Sequence, residues 1–67
     1  MSYQLIKLQD VSKLTTLSRS TIYRLINDNK FPAPVNLGYR AVAWVESEVL
    51  EWLDERLAKR TSENLQF

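Results

Sequence analysis

The sequence predicts a mainly α-helical domain carrying one small two-stranded β-hairpin. Three observations predict it. Apolar residues recur at helical spacing in three separate stretches. A Phe-Pro-Ala-Pro run at 31–34 closes the second stretch. Behind that run, two short β-prone segments flank Gly38, the single glycine among 67 residues, where a tight turn needs positive φ.

Residues 1–6 read as extended. Leu8, Val11 and Leu14 then repeat at a spacing that suits a short first helix over 8–14. Lys7 is a poor N-cap, so this helix starts softly. Thr15 and Thr16 form the expected turn, and Leu17 packs beside the next helix as a staple residue. Ser18 is a good N-cap, because its hydroxyl accepts from an N–H two or three residues on. The second helix then runs over 19–29. With Ile22 set at zero and 100° per residue, Ile26 and Leu25 fall at about 40° and 300°, so the inner face centres near Ile22. Ser20, Arg24 and Asn27 fall at about 160°, 200° and 140°, on the outside, with Tyr23 on the flank. Pro32 and Pro34 bias Phe31 and Ala33 away from helical geometry, and Phe31 plugs the core. Val35 and Leu37 lead to the Gly38-Tyr39-Arg40 turn. Ala41 to Val45 form the returning strand, with Trp44 facing inward. The third helix runs over 46–60. Glu46 and Glu48 in its first turn and Arg56, Lys59 and Arg60 in its last complement the helix dipole. Val49, Trp52, Leu53 and Leu57 form its apolar stripe. This gives one domain over 1–60, followed by a flexible polar tail over 61–67.

Composition narrows the class of protein. There is no Cys and no His, which removes disulfides and the usual zinc sites and fits a reducing compartment. No apolar run approaches the roughly 20 residues of a membrane span, and MSYQLIKLQD lacks a secretory core. A cytoplasmic protein that needs no cofactor, metal or membrane is expected. The net charge of +1 hides a division. Residues 1–44 hold six cations against two carboxylates, and residues 45–67 hold three against six. A basic body of net +4 therefore precedes an acidic part of net −3. Such asymmetry suits nucleic acid, with the basic part facing phosphates.

The first two helices and the turn between them make a helix-turn-helix pattern, and the hairpin behind them makes a wing. A major groove about 12 Å wide admits one helix while the preceding helix braces it across the backbone. On the second helix, Arg24 can pair with guanine or phosphate, and Asn27 with adenine. Ser18, Arg19, Ser20, Thr21 and Tyr23 suit phosphate contacts at the helix start, and Lys30 lies at its far end. Tyr39 and Arg40 occupy the wing tip, from which a minor groove or flanking phosphates can be reached. Each feature has a plainer reading: a solvated helix face, a solvated turn residue, ordinary surface charge. Their order along the chain favours the DNA reading. The carboxylates at 46, 48, 51, 54 and 55 make a solvated face. No nucleophile, metal-ligand cluster or phosphate-binding glycine loop accompanies them, so catalysis is not expected.

Three segments, LSRSTIYRLI (17–26), FPAPVNLGYRAVAWVESEV (31–49) and EWL (51–53), resemble the AlpA family of prophage-derived regulators. That family is similar to MerR-like and excisionase-like winged helix-turn-helix proteins. The resemblance covers residues 5–57. It implies a bacterial DNA-binding regulator of a prophage or integrative element, controlling integrase or excision genes. An alternative within the same resemblance is an excisionase that bends attachment-site DNA beside an integrase. A third reading is a protein-interaction adaptor without DNA binding. The resemblance carries Arg19, Ser20, Thr21, Tyr23 and Arg24 to the recognition helix and Arg40 to the wing. The family's turn commonly carries Gly where this chain has Thr16, so a left-handed Thr16 would hold strain on the order of 1 kcal/mol. So small a domain reaches few bases, which leads to the expectation of a homodimer or cooperative array on double-stranded DNA, joined through the C-terminal part.

Overall fold

The computed structural model describes residues 3–63. Two-residue strand β1 (Leu5–Ile6) is followed by helices α1 (Leu8–Thr15) and α2 (Arg19–Asn27). The hairpin strands are β2 (Val35–Gly38) and β3 (Ala41–Val45), and helix α3 (Glu46–Glu63) continues from β3 without a break. The expected hairpin is present, and a third strand joins it. The antiparallel sheet has the order β1-β3-β2. Leu5 pairs with Val45 and Ile6 with Trp44, and the Glu46 N–H extends the ladder to the Gln4 carbonyl at 2.8 Å.

The core forms where α1, α2 and α3 meet the inner face of this sheet. Ile6, Val11, Ile22, Phe31, Trp44 and Val49 are buried together. Leu8, Leu17, Leu25, Ile26 and Trp52 pack around them, so the inner faces expected for α2 and β3 are the observed ones. Indole N–H groups need partners when taken from water. The Trp44 N–H donates to the Pro32 carbonyl at 3.1 Å, and the Trp52 N–H to the Lys30 carbonyl at 2.7 Å. Both bonds pin the 30–32 segment, and Phe31 meets Trp52 edge-on at 4.7 Å between ring centres.

Several details differ from the sequence reading. Thr15 ends α1 rather than lying in the turn, and it is buried where Leu14 was expected. Counting from Val11, the i+4 position lies nearer the inner face than i+3. The hydroxyl of Thr15 is satisfied by donating to the Val11 carbonyl at 2.8 Å. The start of α1 is held by Asp10, whose carboxylate accepts from the Lys7 N–H at 3.2 Å.

Helix α2 ends two residues earlier than predicted, and the prolines do not stop it. Asn29 is left-handed, with φ 57°. Lys30 N–H bonds back to the Leu25 carbonyl and Asn29 N–H to the Ile26 carbonyl. These are the paired bonds of a Schellman ending, with Asn in the place glycine usually takes. Helix α3 continues to Glu63, past the expected end at 60, and Leu57 is exposed rather than part of a buried stripe. The reason is reach: every residue from 54 to 60 is exposed, because the helix outruns the sheet beneath it. Of the tail expected over 61–67, residues 64–67 lie outside the described residues, as do residues 1–2 of the extended start.

Candidate nucleic-acid interface

The turn into α2 is built by side chains of α1. The Ser12 hydroxyl donates to the Leu17 carbonyl at 2.7 Å, and the Leu17 N–H donates to the Thr15 hydroxyl at 3.2 Å. Between them Thr16 takes φ 61° and ψ 12°, the left-handed conformation. Its N–H donates to the Ser12 carbonyl at 2.7 Å, and its hydroxyl donates to the Thr15 carbonyl. Four local hydrogen bonds thus hold a β-branched residue in a conformation it disfavours. The turn keeps the geometry that glycine would give it.

Ser18 caps α2 as expected. Its hydroxyl accepts from the Thr21 N–H at 3.3 Å and lies 2.9 Å from the Thr21 hydroxyl and 3.3 Å from that of Ser20. The start of α2 therefore presents three hydroxyls, those of Ser20 and Thr21 each bonded to that of Ser18. Arg19, Ser20, Arg24 and Asn27 are exposed along the helix, as is Lys30 beyond it, while Thr21 is half-buried. Tyr23 meets Trp44 edge-on at 6.3 Å between ring centres. This contact joins the helix to the strand that leads from the wing.

The wing turn is tighter and more strained than its sequence suggests. Gly38 has φ 100°, and Tyr39 and Arg40 come next with φ 44° and 65°. A two-residue hairpin loop with both residues left-handed matches the twist of the strands, but Asn-Gly usually occupies it. The register shifts between Asn36 and Gly38, and Gly38 N–H donates to the Asn36 side-chain oxygen at 2.8 Å. Leu37 is left as the extra, exposed residue of a bulge. Tyr39 is fully exposed, and Arg40 is exposed beside it. A glycine-bearing turn is legible in the sequence; two further left-handed residues are not.

Lys7, to which the sequence reading gives no binding role, shares a recess between α1 and α2 with Leu8, Gln9, Ser12 and Arg19. No described helix is long and apolar enough to cross a membrane.

Residues 4–57 match the family described as prophage CP4-57 regulatory protein (AlpA). An uncharacterized protein of Enterobacteria phage P4, ORF88, is 47% identical over 55 residues. That match takes 82% of this chain but 62% of the phage protein, so the chain spans less than two thirds of that relative's length. A protein of Escherichia coli K12, named as the DNA-binding transcriptional activator AlpA, is 36% identical over 59 residues. This second match takes 79% of this chain and 84% of that protein.

Proposed function

The chain belongs to the AlpA family of prophage regulatory proteins, and on that premise we propose that it binds double-stranded DNA sequence-specifically and regulates transcription within a bacterial prophage or integrative element. The observation that carries the reading is α2 itself. It is a capped helix, fixed by its turn and by Trp44, with an outward face of Arg, Ser, Asn and Tyr side chains. The E. coli relative's description as a DNA-binding activator supports it.

In this reading α2 enters the major groove. Arg24 and a hydroxyl of the first turn contact base edges, with Asn27 placed to read adenine. Arg19, Thr21, Tyr23 and Lys30 hold the backbone, joined by Lys7 from the neighbouring recess. Ser18 acts first as the cap that shapes this surface. Arg40 and Tyr39 secure the flank from the wing. The regulated genes are those of integrase and excision functions, integrase being the further protein partner, and the protein works in the cytoplasm. Single modules cover about 600–1,000 Å² of DNA-facing surface, so two or more copies act together on repeated or inverted sites.

The test is a binding titration on the region upstream of the chain's own gene and on a scrambled duplex, each at two salt concentrations. Tighter binding to the first is expected. Equal affinity for both duplexes sinks sequence-specific recognition. Arg24→Ala should narrow the preference, losing about 1–3 kcal/mol at its base. Arg40→Ala should weaken both duplexes together.

A further inference from the structure

The wing tip exposes more apolar surface than its turn requires. Leu37 is 56% exposed, and Tyr39 is fully exposed. Single exposed apolar residues are ordinary. Here two large ones stand within three positions, at the end of a hairpin whose backbone is strained to hold one of them. Tyr39 and Arg40 have φ 44° and 65°, a region that bulky residues disfavour. Strain of this kind gathers where it serves a site. A tip that only neutralised phosphate would need the cation and neither apolar side chain.

The tip is also slender. Its last rung pairs Gly38 with Ala41, and nothing lies within 4 Å of where a Gly38 side chain would begin. Beyond that rung come only Tyr39 and Arg40, and the bulge sets Leu37 just before it. No carboxylate lies between Asp28 and Glu46 in the sequence, so the wing carries no charge that repels phosphate. Its reach follows from a fixed point, the contact of Trp44 with Tyr23 of α2. From Trp44 to Arg40 the strand advances about 14 Å at 3.4 Å per residue. Half a duplex turn, the step from a major groove to the neighbouring minor groove, is about 17 Å. With α2 in the major groove and the wing along the duplex, the tip falls at a minor groove about 6 Å wide.

We propose that Leu37 and Tyr39 form an apolar wedge that enters this minor groove and unstacks one base step, with Tyr39 leading and Leu37 filling the groove behind it. The proposal rests on the DNA reading and adds a ligand class to it. That ligand is a pyrimidine–purine step, TA or CA/TG, the kind that unstacks most readily. Minor-groove proteins use apolar side chains in this way, parting a step and kinking the duplex toward the major groove. Arg40, next to Tyr39, holds the phosphate beside the opened step. Specificity then has a second source outside the bases that α2 touches. The wedge selects a step by how easily it opens, not by hydrogen bonds.

The experiment uses the whole chain and duplexes that tile the region upstream of its gene. The tightest-binding duplex is saturated with protein and treated with permanganate, which oxidises thymines whose stacking is broken. One thymine per bound copy, within a pyrimidine–purine step, should become several-fold more reactive. Leu37→Ala with Tyr39→Ala, saturated on the same duplex, should abolish that reactivity. Both side chains are exposed, and circular dichroism should show the variant folded. Tyr39→Phe should keep the reactivity, because a wedge needs the ring and not the hydroxyl. Replacing the step by a stiffer AA step should weaken wild-type binding about tenfold and the double variant far less. Saturated binding with no reactive thymine, or a Tyr39→Phe variant that loses the reactivity, overturns the wedge while the DNA reading stands. A chain that binds none of the duplexes overturns both.

Discussion

Thr16 carries the clearest strain in the molecule. A left-handed conformation costs an L-residue roughly 1–2 kcal/mol, and more where the side chain is β-branched. Thr16→Gly removes that cost and returns part of it as chain entropy in the unfolded state. The urea midpoint should rise by the equivalent of about 0.5–1 kcal/mol. A midpoint that falls means that the lost hydroxyl bond to Thr15 outweighs the strain. Thr15 is the opposite case. Thr15→Val keeps the shape but strips a partner from the Leu17 N–H and from the Val11 carbonyl. It should cost about 1–3 kcal/mol in the same titration. Neither residue is fully legible in the sequence. Thr15 hides because its hydroxyl is satisfied within its own helix, leaving a polar letter at an inward position. The left-handed turn at Thr16 comes only from resemblance, since no local rule places a threonine there. Ser18 is legible, because capping depends on a residue and its three successors alone.

The wing shows how an element can be tuned away from stability. Its turn has the backbone that Asn-Gly would fill at ease, yet Tyr39 and Arg40 occupy it. Replacing them together, Tyr39→Asn with Arg40→Gly, should stabilise the domain by about 1 kcal/mol, read from thermal unfolding. The same double change should weaken DNA binding, because it removes the cation and the exposed ring. Stability and affinity moving the same way would take Tyr39 and Arg40 out of the interface. At the start of α2, Ser18→Ala should cost about 1 kcal/mol by leaving the Thr21 N–H without its cap. These elements also mark the reach of the sequence. Hairpin and caps depend on short-range signals such as the lone Gly38. Strand β1 gives no such signal: two residues suffice for it, and its partners Val45 and Trp44 lie some forty positions away along the chain. The end of α2 looks like the work of prolines, whereas a left-handed Asn29 closes it first.

At the scale of the whole molecule, charge is sorted along the chain, and the net +1 reports none of it. If Lys7, Arg19, Lys30 and Arg40 each displace a counterion from DNA, binding should fall with salt on a log–log slope of about −3 to −4. A slope near zero removes these residues from the backbone contacts, whatever the sequence preference. The acidic part that lowers the net charge is confined to α3, the element that outruns the sheet. Periodicity alone assigns the helical stripe ending at Leu57 to the core. It reports which residues share a face, and only the length of the underlying sheet decides how much of that face is covered. The two tryptophans divide between these regions. Trp44 is fully buried and touches Tyr23 of α2, whereas Trp52 is half-buried beneath Arg56, whose guanidinium carbon lies 4.8 Å from the ring centre. The molecule thus has two built-in fluorophores in unlike surroundings. Trp44 should emit further to the blue and respond when DNA engages Tyr23. Trp52, half-exposed beside the α3 charges, should emit further to the red and hold its emission when DNA binds, so engagement of α2 can be read by colour in one unlabelled sample.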